Sequence, residues 1–116
     1  MSDTELEVRR ERAAKNQSLF REVNERIEDL AGSWRVTSFI CECADETCDT
    51  TCELTLEEYE KVRSEPNSFF VLRGHEIPKV EEIIDSTDRY VVVAKLGKGA
   101  VVAEHLHPRS RTVRPD

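Results

Sequence analysis

Cys41, Cys43, Cys48 and Cys52 are the chain's only cysteines, and they sit together in Phe39-Ile-Cys-Glu-Cys-Ala-Asp-Glu-Thr-Cys-Asp-Thr-Thr-Cys52, spaced C-x-C-x4-C-x3-C. Cysteines used as small core hydrophobes would not cluster in this way. Thiolates with imidazole are the preferred ligands of zinc, which takes four of them in a tetrahedron. The spacing therefore points to a thiolate metal site, with zinc the expected ion; an iron–sulfur cluster uses the same ligand type. Residues i and i+2 of a strand share a face, so Cys41 and Cys43 can reach one ion. The same neighbours suit a disulfide poorly, because the geometry of that bridge is narrow.

Cys41, Cys43 and Cys48 supply three ligands, and two residues compete for the fourth place. Cys52 is the local candidate and would close an all-thiolate site, but it shares a strand face with Leu54 and can serve as a small core hydrophobe. His75 is the distant candidate, in a Gly-His-Glu turn directly after a predicted strand. Four thiolates on Zn²⁺ carry a net of about −2 and three with a neutral imidazole about −1, so charge favours the histidine in an already acidic segment.

Other motifs carry no chemistry. Gly97-Lys98-Gly99 lacks the upstream glycine and the following Ser or Thr of a phosphate loop. No Ser or Cys sits in a nucleophile elbow. Glu57 and Glu58 serve a helix cap and its dipole. His105 and His107 flank Leu106 near the end of the chain and read as exposed bystanders. A closed zinc–thiolate site has no position for a reacting water, so no enzymatic activity is expected. An enzyme would need three protein ligands and a carboxylate such as Glu76 or Glu42 beside that water.

The elements that position these residues follow from periodicity and caps. Thr4 and Glu7 form a capping box that starts a helix. Leu19, Phe20, Val23, Ile27, Leu30 and Ala31 recur at helical steps and predict its buried stripe, and Gly32 stands where a C-cap glycine does. Glu5 to Lys15 is nearly all charge and alanine, a solvated helical arm. Trp34–Cys43 reads as a strand that returns through a polar turn to Cys52–Thr55, a hairpin with the thiols at its tip. Thr55 and Glu58 form a second capping box opening a helix to Ser64, with Leu56, Tyr59 and Val62 inward. Ser68–Leu72 is a strand. Pro78, at a helix N1 position, predicts a helix to Asp85. Tyr90–Leu96 and Ala100–Glu104 read as a hairpin around Gly97-Lys98-Gly99.

The 116-residue chain has 35% charged and 6% aromatic residues and a formal net charge of −7. A chain of this size buries roughly 65% of its unfolded surface and forms a core without staples. Between 41 and 65 stand Glu42, Asp45, Glu46, Asp49, Glu53, Glu57, Glu58, Glu60 and Glu65 against Lys61 and Arg63. A duplex binder needs a basic face, so nucleic acid is disfavoured, although Arg109, Arg111 and Arg114 make the tail basic. No apolar run approaches the ~18 residues of a membrane span. The polar N-terminus lacks the apolar core of a signal peptide, and a cytoplasmic protein with reduced thiols is expected.

Taken together, the run Asn16…Leu19–Ile27, Phe39-x-Cys41-Glu-Cys43-x4-Cys48, Leu54-Thr-Leu-Glu-Glu-Tyr59, Val62-Arg63, Phe69–Val71 and Gly74-His75-Glu76 resembles a family of small uncharacterised actinobacterial proteins. The resemblance covers the chain from Asn16 to Arg109. It implies Cys41, Cys43, Cys48 and His75 as the ligand set, since the family pattern has an aliphatic residue at the place of Cys52; it implies no activity. Locally, C-x-C-x4-C with a remote ligand also resembles the zinc cluster that follows SET methyltransferase domains, but no methyltransferase sequence accompanies it here.

The expectation is an α+β fold: a long N-terminal helix on a small, mostly antiparallel sheet, with a zinc-bearing β-hairpin and two short helices. Residues 1–15 form a polar helical arm, 16–107 a single zinc-binding domain and 108–116 a disordered basic tail. The expected role is an intracellular binding or regulatory module with structural zinc and a protein partner; the alternative is a thiol-based redox or metal sensor.

Overall fold

The structure, a computed structural model, describes residues 3–31 and 36–110. The order of elements is α1 (Asp3–Ala31), β1 (Thr37–Ile40), β2 (Thr51–Leu54), α2 (Leu56–Arg63), β3 (Ser68–Val71), β4 (Glu81–Ser86), β5 (Val91–Lys95) and α3 (Lys98–His105), then a 3-10 turn at Pro108–Ser110. This is the expected α+β class: a long N-terminal helix with two small antiparallel sheets. Trp34 and Gly32, the predicted strand start and helix cap, lie outside the described residues, as do 111–116. No helix among the described residues is long and apolar enough to cross a membrane.

In α1 the predicted face is turned around. Leu19, Val23 and Leu30 are 66%, 42% and 86% exposed, whereas Ala13, Ala14, Gln17, Ser18, Arg21 and Asn24 are buried; of the predicted stripe, Ile27 packs in part against the core. The polar side chains meet backbone groups that no strand satisfies. Asn24 donates from Nδ2 to Ile40 O and accepts from Ile40 N, both at 2.8 Å, as a neighbouring strand would. Gln17 Nε2 donates to Glu42 O at 2.8 Å. Arg21 donates to Pro66 O at 2.7 Å and Ala103 O at 2.8 Å. Leaving such groups buried without partners costs about 1–3 kcal/mol each, so hydrogen bonding outweighs the apolar stripe. Residues 3–15 continue the same helix: Arg10 Nε donates to Lys79 O at 3.0 Å.

β1 and β2 pair antiparallel with Phe39 opposite Cys52, and α2 follows through the predicted capping box: Thr55 Oγ1 accepts from Glu58 N at 3.1 Å, and Glu58 Oε1 accepts from Thr55 N at 2.8 Å. The second sheet has the order β3-β5-β4, all antiparallel, with a bulge between Ile83 and Asp85. Phe39 stacks on Tyr59 with centroids 4.4 Å apart, and Phe70 meets both rings edge-on, joining the two sheets in one core.

Two predicted elements change type. The helix expected over Pro78–Asp85 is strand β4 from Glu81. Glu81 is buried and accepts from Lys95 Nζ at 2.8 Å on the paired strand β5, and the β-branched Ile83 and Ile84 favour extended backbone. The strand expected over Ala100–Glu104 is helix α3. Gly97 stands before it at φ +55°, and Glu7 Oε1 accepts from Lys98 N at 2.8 Å in place of a local cap. At Gly99 a Cβ would lie 2.8 Å from Arg10 O, so glycine lets α3 approach α1 closely.

The end of the described chain also departs from expectation. Pro108–Ser110, placed in the disordered tail, form a turn from which Arg109 bonds Glu25, Glu28 and Glu60 at 2.7–3.3 Å. His105 is exposed, but His107 is buried, with Nδ1 lacking a hydrogen-bond partner.

Candidate metal centre

Three segments converge at the hairpin tip. After β1 the chain stays extended: Cys41 N donates to Thr50 O at 3.1 Å on the hairpin side, and Glu42 N donates to Phe70 O at 2.9 Å on the other, toward β3. The alternation of extended backbone therefore sends Cys41 and Cys43 one way and Glu42 the other. Cys48 sits in the polar turn, where the Asp45 carboxylate accepts from Thr47 N at 2.9 Å and Thr47 Oγ1 at 2.7 Å, the local bonding that makes aspartate a turn former. His75 closes a turn whose His75 N donates to Leu72 O at 2.9 Å. Gly74, at φ +95°, holds the third position of that turn, where a type II form requires positive φ.

The Sγ atoms of Cys41, Cys43 and Cys48 and a ring nitrogen of His75 all lie within 4.8 Å of one another. Nδ1 of His75 is 3.5 Å from Cys41 Sγ and 3.7 Å from Cys48 Sγ. A tetrahedron with metal–sulfur bonds of about 2.3 Å and a metal–nitrogen bond of about 2.0 Å has sulfur–nitrogen edges of about 3.5 Å. The observed separations match those edges, so these four side chains can hold one metal ion. Leu72 N donates to Cys41 Sγ at 3.3 Å, and Thr50 Oγ1 lies 3.0 Å from Cys48 Sγ. Such outer hydrogen bonds orient ligands and stabilise negative sulfur.

The fold raises the pKa values of the Cys41 and Cys43 thiols. At Cys41 the hydrogen bond with Cys43 acts downward, but the hydrogen bond with Cys52 and burial outweigh it, and its pKa is pushed up to about 12. The Cys43 thiol is pushed up by its hydrogen bond to Cys41 and by burial. A bound cation would supply the charge that ionises them, so binding must release protons. Cys41 and Cys43 are buried while Cys48 and His75 are half-buried, which puts the centre at the rim of the fold.

The remaining candidates fall elsewhere. Cys52 is outside the four-atom group, 1% exposed in the core opposite Phe39, with its sulfur within hydrogen-bond reach of Cys41. Glu76 accepts from Gly74 N at 2.8 Å and braces the turn. Glu42 is fully buried and accepts from Arg63 at 2.5 Å, Asn24 at 2.8 Å and Phe70 N at 3.3 Å. Sequence reasoning missed the supporting partners Leu72 N and Thr50 Oγ1; the hydroxyl two residues after Cys48 was the only signal for either. A groove of about 330 Å³ between α2 and β4 has an apolar floor of Val62, Ile84 and Val92 and carboxylates from Glu58, Glu65 and Asp85.

Compared with protein-family models, with curated proteins and with solved structures, the chain matches none of them.

Proposed function

We propose that the protein is a zinc-stabilised binding module of the cytoplasm and not a catalyst. The observation that carries this reading is the convergence of three sulfurs and one imidazole nitrogen within 4.8 Å. Three thiolates and a neutral imidazole suit tetrahedral Zn²⁺, and four protein ligands close the site, as structural zinc requires. The ion ties the end of β1, the polar turn and the β3–β4 turn together, fixing the hairpin on the three-stranded sheet. Asp45, Glu46 and Asp49 are exposed at the tip, and this acidic surface meets a protein partner. Elemental analysis of protein purified without added zinc should give about one equivalent of zinc per chain. Cys41→Ser should lose it, and a wild-type chain free of metal would end the proposal.

A second reading, a thiol sensor, draws on the closeness of Cys52 to Cys41. Hydrogen peroxide would take two electrons from the zinc-bound Cys41 thiolate and the Cys52 thiol; a sulfur–sulfur bond forms, the oxygen–oxygen bond breaks, and the Cys52 proton leaves in one water molecule beside one hydroxide. The ion, having lost a ligand, is released. Zinc release by mild peroxide that Cys52→Ala abolishes would favour the sensor, and equal release from both proteins would remove it.

A further inference from the structure

The outer side of α1 carries a pattern that neither the metal centre nor the acidic tip uses. Val8, Arg12, Lys15, Leu19, Val23, Arg26 and Leu30 recur at steps of three and four, so they form one seam along a helix of 29 residues. That seam lies opposite the buried face of Ala13, Gln17, Arg21 and Asn24. Its apolar members are 45% (Val8), 66% (Leu19), 42% (Val23) and 86% (Leu30) exposed. Its basic members are exposed as well, and among the described residues no carboxylate forms an ion pair with Arg12, Lys15 or Arg26. A solvated helix face has no reason to keep leucine and valine at these spacings. Three exposed cations interleaved with them on a chain of net charge −7 reverse the protein's overall sign along one line.

We infer that this seam docks an acidic amphipathic helix of another protein, with apolar residues against Leu19, Val23 and Leu30 and carboxylates against Arg12, Lys15 and Arg26. Charge decides between this occupant and the others. In a parallel pair of copies each of the three cations would face its own counterpart. In an antiparallel pair centred on Leu19, Arg12 would face Arg26 of the second copy. Charges at seam positions select partners by such repulsion, so self-association is disfavoured in both orientations. An anionic bilayer is disfavoured because the seam lacks the aromatic residues that anchor interfacial helices and because the whole chain is negative. The inference does not depend on the zinc.

The test uses the full chain and two synthetic helical peptides that span the length of Val8–Leu30. Both carry leucine opposite the apolar seam positions; one has glutamate and the other lysine opposite Arg12, Lys15 and Arg26. Fluorescence anisotropy should detect binding of the glutamate peptide alone, weakening roughly tenfold or more as salt rises from ~0.05 to ~0.5 M. Leu19→Asp should weaken it by about tenfold or more. The triple variant Arg12→Glu, Lys15→Glu, Arg26→Glu should exchange the preference to the lysine peptide. All these positions are exposed, and unchanged circular dichroism of each variant checks the fold. Absence of binding, equal binding of both peptides, or indifference to the triple variant would overturn the inference. So would self-association in sedimentation equilibrium, or binding to phosphatidylserine vesicles in preference to the glutamate peptide.

Discussion

The carboxylate of Glu42 and the guanidinium of Arg63 meet at 2.5 Å with neither side chain exposed to solvent. Glu42 stands between two candidate ligands, Cys41 and Cys43, and Arg63 lies in the last turn of α2 with its guanidinium 4.8 Å from the Tyr59 ring centroid. The pair therefore fixes the strand that carries the thiols to the body of the fold. Removing one partner leaves a buried charge unpaired, at a cost of about 3–5 kcal/mol. Arg63→Met should lose that much stability in urea unfolding. Adding Glu42→Leu to Arg63→Met should recover a large part of it, because an apolar pair of similar volume removes the orphaned charge.

His107 predicts a pH dependence. Burial, then the charges of Arg21, Arg63 and Arg109, lower its pKa from 6.5 to about 4. The unfolded chain takes up that proton at higher pH than the folded chain does. The contribution to stability is therefore present above pH 6.5 and is lost as pH falls toward about 4. Unfolding midpoints measured across this range should fall with pH, and His107→Gln should flatten the slope. Identical slopes for the two proteins would show that His107 is not held neutral.

Gly74 tests the link between backbone and ligand. A Cβ there meets nothing within 4 Å, so Gly74→Ala suffers only from its φ of +95°. Forcing a residue with a side chain into left-handed backbone costs about 1–2 kcal/mol. If that turn presents His75 to the metal, competition with a chelator should give an affinity roughly tenfold weaker for Gly74→Ala, since 1.4 kcal/mol is a factor of ten. Unchanged affinity would separate the turn from the site.

Cys52 and His75 can be distinguished directly. Cys52→Ala should retain one bound metal and lose only the packing of a buried sulfur, about 1 kcal/mol. His75→Ala should lose tight binding while leaving the α1 and β3-β5-β4 core intact, as read by circular dichroism. The reverse pattern would make Cys52 the fourth ligand.

The C-x-C-x4-C spacing and the Gly-His turn were legible because their chemistry is local: an extended backbone alternates its side chains, and a glycine with positive φ ends in a presented histidine. The Thr55–Glu58 capping box was legible for the same reason. What escaped depends on partners far along the chain. Arg21 is buried because Pro66 O and Ala103 O need donors, and nothing near residue 21 announces them. Glu81 looks like a solvated helix residue until Lys95 is placed beside it. Gly97 and Gly99 read as a hairpin turn because the Glu7 carboxylate and the Arg10 carbonyl, which explain them, belong to the other end of the sequence. His107 reads as an exposed bystander because the arginines around it come from three different elements.

X-ray absorption at the zinc edge of the purified full chain tests the metal centre most directly. Three sulfur neighbours at about 2.3 Å and one nitrogen at about 2.0 Å are expected, with the nitrogen signal lost in His75→Ala. Four sulfur neighbours, or no zinc in the protein, would contradict the assignment of Cys41, Cys43, Cys48 and His75.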